Sequence, residues 1–273
     1  MFATLAFHWQ IYRRLIGAQL RAQMQYRVSM LFEIAATALI MSLFFVSLAL
    51  VMQRLENIGG WNLAQIAFLW GMVETGFGLM DMFFSGFDPA FFGRRVRQGT
   101  FDELLLRPVS VTVQVFGDQF VIRRLGRIIQ GLAILTFAFS TGDIAWTAAK
   151  IAYLPLVLAG LVLYFGGLFI VGATITFWTV ESIEAINVFT YGGSEMLAYP
   201  MHIYPDILRR TFTYILPAAL LNYYPALYIL DLPDPMSLPG WLRFVAPLAG
   251  GLLFAGALAF WRFGVRHYHS TGS

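Results

Sequence analysis

Residues 30–52 read MLFEIAATALIMSLFFVSLALVM, with a single charge, Glu33, near the start. A helix rises about 1.5 Å per residue, so roughly 20 apolar residues cross a hydrocarbon core about 30 Å thick. This stretch therefore predicts a membrane span, and others of similar length follow. Residues 63–84 form a second, interrupted by Glu74 and Asp81. Residues 125–140 form a shorter third, preceded by Arg123 and Arg124. Residues 148–178 are long enough to cross with tilt, and residues 241–263 are the last clear span.

The composition agrees. Of 273 residues 59% are hydrophobic and 12% charged, against about 45–50% and 25% in soluble domains. The excess apolar surface has to face lipid, which excludes a soluble enzyme. The absence of cysteine excludes disulfides, thiolate metal sites and a cysteine nucleophile. The single lysine, Lys150, sits in TAAKI without the glycines of a P-loop, so the chain itself is not expected to bind ATP in that way. A net charge of +3 gives no reason to expect nucleic acid as a partner.

Between residues 180 and 230 the pattern blurs. Residues 183–202 hold Glu184, Asn187, Gly192, Gly193, Ser194 and Glu195, a poor lipid-facing face. Residues 207–230 are apolar but carry Arg209, Arg210, Pro217 and Pro225. Prolines break helices, and broken helices at membrane depth survive only inside protein or beside a water-filled cavity. The preferred reading makes 183–202 a fifth, protein-facing span and 205–230 a broken, re-entrant element. Exchanging their roles keeps six spans, and counting both gives seven.

With six spans and a cytoplasmic N-terminus, 13 basic residues fall inside and 5 outside. That bias puts both termini in the cytoplasm, whereas seven spans would export Arg262 and Arg266. Residues 1–29 lack the apolar core of a signal peptide. Leu5, Trp9, Tyr12, Ile16 and Leu20 share one helical face opposite Arg14 and Arg21, as in a helix lying in the membrane interface, with packing on a partner as the alternative. The fold expected is an all-α integral membrane protein: one domain over 1–273, six transmembrane helices, an interfacial amphipathic helix over 1–29, a cytoplasmic loop over 85–110, and a re-entrant segment over 205–230 before the last span.

Polar chemistry is sparse. Ala67, Gly71, Glu74, Gly78 and Asp81 recur at steps of four and three, a stripe of small and acidic residues along one helix face. Glu74 lies near mid-membrane, where it either lines a pathway or, protonated, bonds a neighbouring helix. Asp81 is placed to pair with Arg123, Arg124 or Arg127. Glu195 joins these two as an intramembrane polar candidate. The four histidines show no metal-binding spacing, and Gly192-Gly193-Ser194-Glu195-Met196 lacks the second glycine of a nucleophile elbow, so neither a metal nor a catalytic residue is expected. An integral-membrane enzyme acting on lipid, with Glu74 or Glu195 as acid and base, is the rival reading. A non-transporting scaffold or sensor is a third, without a soluble sensing domain to support it.

The loop FSGFDPAFFGRRVRQGTFDELLLRPVS is the most informative stretch. Thr100 is a candidate N-cap of a short helix, with Asp102 and Glu103 in its first turn, Leu104, Leu105 and Leu106 presented beside the membrane, Arg107 at the end and Pro108 as the stop. Such a helix either docks in a partner's groove or rests on lipid head groups.

Gly99, Thr100, Phe101, Asp102, Glu103, Leu104, Leu105, Leu106, Arg107 and Pro108 together resemble the G-T-F-D-x-L-L-x-R-P loop motif of a bacterial branch of ABC-2-type transporter permeases. Gln25-Tyr26-Arg27, Gly59-Gly60-Trp61, the stretch PAALLNYYPA over 217–226, and the ending Tyr268-x-Ser270-x-Gly272-Ser273 resemble the same family. The resemblance implies a permease subunit of an ATP-binding cassette exporter in the bacterial cytoplasmic membrane. It implies that 99–108 couples to a cytoplasmic P-loop ATPase present in two copies, and that a second permease subunit, the same or more often different, completes the membrane part. No cofactor of its own is implied.

Overall fold

A computed structural model describes residues 2–179, 184–236 and 238–270; no strand occurs among them. The N-terminal α1 (Phe2–Met24) leads into α2 (Arg27–Leu55) and α3 (Leu63–Phe84). Three short helices follow, α4 (Pro89–Arg97), α5 (Asp102–Leu105) and α6 (Val111–Asp118), before α7 (Leu125–Thr141) and the long α8 (Ala148–Thr179). Then come α9 (Glu184–Asn187), α10 (Gly193–Leu197), α11 (Asp206–Arg210), α12 (Tyr223–Ile229) and α13 (Ala246–Arg266). Among the described residues four helical segments are long and apolar enough to cross a membrane: Arg27–Leu55, Leu63–Arg97, Ala148–Thr179 and Ala246–Arg266. With 17 residues, α7 stands at the lower edge of the usual range of about 17–25.

The central helix is α3, whose side chains from Ile66 onward are almost all buried against α7 and α8. Its small-residue stripe sets that packing. A methyl group on Gly71 would lie 2.9 Å from the Gly131 carbonyl, and one on Gly131 would lie 2.7 Å from the Thr75 amide. Close approach of helix backbones replaces the hydrophobic drive that is missing in lipid. The pair α8 and α13 uses the same device at Gly160 and Gly250, with Ala246 buried beside them. The neighbouring Gly251 of α13 has open space around it. By contrast α2 buries only Leu48 and Met52. Its exposed Leu39, Phe44 and Leu50 belong against lipid or another chain.

The region after α8 departs from the expected outline. Residues 180–183 lie outside the described residues. From Glu184 to Leu197 the chain is helical, with a π-helical turn at Val188–Gly192, and covers roughly 21 Å; a turn and a 3-10 turn at Met201–Ile203 carry it further in place of a continuous helix. The following stretch is broken as its prolines require: α11, a second π turn at Thr211–Ile215, a break at Leu216-Pro217, a 3-10 turn at Ala219–Leu221, and α12. Pro225 sits in the first turn of α12, where its missing N–H costs least. Asn222 binds the piece to the core, its Nδ2 donating to the carbonyls of Leu69 (3.1 Å) and Leu197 (2.8 Å). The last long helix begins at Ala246, not Trp241, which lies in a 3-10 turn at Gly240–Phe244.

The connections gather at two opposite ends. At one, His202 bridges the Gly59 carbonyl (2.7 Å) and the Tyr223 hydroxyl (2.9 Å), with Trp61 stacked on Tyr223. Lys150, buried, pairs with Asp231 there at 2.5 Å. At the other end lie α4 to α6, the last turn of α13 and α1. Helix α1 packs on α6: Gln19 donates to the Asp118 carbonyl at 2.6 Å, Gln23 to that of Phe120 at 2.5 Å, and Leu15 fits against Gly117. Trp9 remains 59% exposed.

Candidate functional sites at the loop motif and inside the membrane

The motif opens at the end of α4, which buries Phe92 and Val96, exposes Arg94 and Arg97, and turns Arg95 onto Asp118 at 2.8 Å. Gly99 takes φ +69°, a left-handed conformation that closes a helix without a side-chain penalty. Thr100 is not the N-cap of the next helix. Its hydroxyl donates back to the Arg95 carbonyl at 3.2 Å, so it caps α4, and Phe101 holds the N-cap position of α5 without a side-chain cap. Helix α5 is therefore a single turn, shorter than the expected element. Leu104 points inward at 4% exposure, whereas Leu105 is 42% and Leu106 86% exposed. The outward surface is thus Glu103, Leu105, Leu106 and Arg107, with Leu104 as its anchor. From behind, Gln114 donates to the carbonyls of Leu104 (2.9 Å) and Val109 (3.0 Å) and fixes both ends of the turn.

Phe101 is fully buried among Phe92, Phe177, Trp261 and Tyr268, ring centroids 4.9 to 6.3 Å away. It joins the motif to α4, α8, α13 and the C-terminal tail. Asp102 accepts from the Ser270 hydroxyl at 2.5 Å. Burial, with Asp102 beside it, pushes the Tyr268 hydroxyl up to about 12. Two stretches read separately in the sequence, the loop motif and Tyr268-x-Ser270, therefore form one surface. Gly272 and Ser273 lie outside the described residues.

Inside the helices, Glu74 is neither free nor a lone protonated donor to a neighbour. Arg127 of α7 holds it through two contacts, Nε to Oε2 at 2.6 Å and Nη2 to Oε1 at 2.9 Å, and packs over the Phe77 ring at 4.3 Å. Both partners are buried. A buried pair of this geometry is compensated only while both members are present. Asp81, 1% exposed, lies 2.8 Å from the Arg124 guanidinium. The two acids of α3 thus take separate arginines. Glu195, in contrast, is exposed on α10. It lines a cavity of about 630 Å³ with Glu74, Trp70 and Tyr199, walled by the Met41–Val51 face of α2.

The comparison with known families bears on all of these. A family model described as ABC-2 family transporter protein matches residues 37–272. The chain belongs to the ABC-2 transporter family. No curated protein and no solved structure matches it. As an ABC-2 protein it is a multi-pass membrane component that associates with an ATP-binding subunit, and such components are generally not catalytic themselves.

In this ABC-2 chain several supporting residues escape a reading by pattern. Arg127 was visible only as one of three partners for Asp81. The stripe held the missing signal, since Gly71 against Leu135 and Gly78 against Ile128 fix an antiparallel register that brings Arg127 to Glu74. Gln114, Asn222 and His202 gave no signal, because their partners are backbone groups or residues far along the chain.

Proposed function

We propose that this chain is the permease subunit of an ATP-driven exporter. It has six spans, both termini in the bacterial cytoplasm, 183–202 crossing as the fifth span and 205–230 re-entering from outside. Residues 99–108 dock in a groove of a P-loop ATPase, of which the complex holds two copies, and a second permease subunit, more often a different one, completes the pathway. The observation that carries this reading is the pair of exposed leucines, Leu105 and Leu106, between Glu103 and Arg107 on a turn braced by Phe101 and Gln114. Burying one leucine contributes about 1.5–3 kcal/mol, and the flanking charges supply a polar rim. Because Phe101 is wedged between α8 and α13, displacement of the docked face by closing ATPases moves that helix pair, the step that alternating access needs. Glu74 and Asp81 act chiefly as register pins between α3 and α7, and Glu195 faces the pathway.

Docking is tested by co-purification. Leu105→Asp and Leu106→Asp place a carboxylate in an apolar groove and are expected to abolish retention of the ATPase while leaving expression unchanged. Arg107→Ala is expected to weaken transport only modestly, because a rim ion pair contributes about 0–1 kcal/mol. Full retention and normal transport in both aspartate variants would make this turn a mere interfacial connector.

A further inference from the structure

The cavity between α2, α3 and α10 is chemically lopsided. Its volume, about 630 Å³, suits a drug-sized molecule, for which sites of about 300–1,000 Å³ are usual. Its lining runs from Glu74 to Ile58 in the 56–62 connection, and Phe44, Trp70 and Tyr199 give it aromatic walls. Its charge does not cancel. Arg127 is consumed by Glu74 in a two-contact pair, while Glu195 forms no ion pair among the described residues. The cavity and its adjoining guanidinium thus carry one carboxylate in excess at membrane depth, where an unmatched charge is costly. The indole nitrogen of Trp70, buried beside it, has no hydrogen-bond partner among the described residues. A bulky apolar monocation answers the charge and the walls: its charge offsets Glu195, its body fills the apolar walls, and the aromatic faces attract it further. An anion of the same shape would meet the carboxylate with like charge.

We infer that this cavity binds lipophilic organic monocations, with Glu195 as the charge-selecting residue and Trp70 and Tyr199 as the aromatic walls. The inference rests on the permease reading and names its substrate class.

The test is equilibrium binding of radiolabelled tetraphenylphosphonium to the full chain, purified with whatever subunits accompany it, with unlabelled neutral triphenylphosphine oxide as competitor. Glu195 is exposed and forms no ion pair among the described residues, so Glu195→Gln is expected to fold normally and to weaken phosphonium binding at least tenfold. Glu195→Asp should retain most of the binding, and Glu33→Gln, a carboxylate outside the cavity, should leave it unchanged. The neutral competitor is expected to displace the cation poorly. Equal binding by wild type and Glu195→Gln, or displacement by the neutral oxide at similar concentration, overturns the inference; so does the absence of any saturable binding, as when another subunit's side chain fills the cavity. Loss of binding with the ATPase still co-purifying counts against the substrate class alone, whereas failure of the ATPase to co-purify counts against the permease reading.

Discussion

Glu74 shows how much a single residue can hide. Its position near mid-membrane was legible in the sequence, and so was the face it occupies. Its partner was not, because nothing along the chain distinguishes Arg127 from Arg123 and Arg124 until the register of α3 against α7 is known. The difference reverses an expectation. Read as a lone acid, Glu74 should tolerate glutamine. Read with Arg127 over its carboxylate, Glu74→Gln strands a buried guanidinium, at a cost of about 3–5 kcal/mol. We expect that variant to lose thermal stability in detergent, Glu74→Lys to fail to assemble, and the double change Glu74→Gln with Arg127→Leu to recover most of the loss. A double variant no more stable than Glu74→Gln alone would show that the pair is not what the single change disrupts.

At the scale of elements, legibility followed local physics. The long apolar helices α2, α3, α8 and α13 were visible because each needs nothing but its own composition to declare itself. The break around Pro217 was visible because proline has one local meaning. Thr100 misled, since a threonine ahead of two acids matches a helix start, but Gly99 turns the chain so that its hydroxyl reaches back to Arg95 instead. The run Leu104-Leu105-Leu106 was read as uniformly presented. In so short a turn, Phe101 and Leu104 are both drawn into the core, and only the following two leucines face out. The tail was recognisable by resemblance, and its contact with Phe101 and Asp102 spans 168 residues of sequence, beyond any local rule. The loop motif should therefore depend on the tail. Tyr268→Ala removes one wall of the Phe101 pocket, and we expect a several-fold faster cut after Glu103 by a glutamate-specific protease. An unchanged rate would show that the tail only rests on the motif.

For the molecule as a whole, the two clusters of connections carry the orientation. The end holding α4 to α6 and the tail also holds most of the arginines, so it should face the cytoplasm. Since the chain has no cysteine, single cysteines report without background. In intact cells a membrane-impermeant thiol reagent should label Asp143→Cys and spare His269→Cys, and the reverse pattern would invert the molecule. That orientation places the surface of Leu105 and Leu106 where a cytoplasmic ATPase can reach it, and the whole account turns on that contact. A photo-crosslinking amino acid at position 106, irradiated in native membranes, probes it directly. The expected product is one adduct between this chain and a P-loop ATPase, absent when the crosslinker is at position 143. Crosslinks to lipid alone, in membranes from which that ATPase still co-purifies, would contradict it.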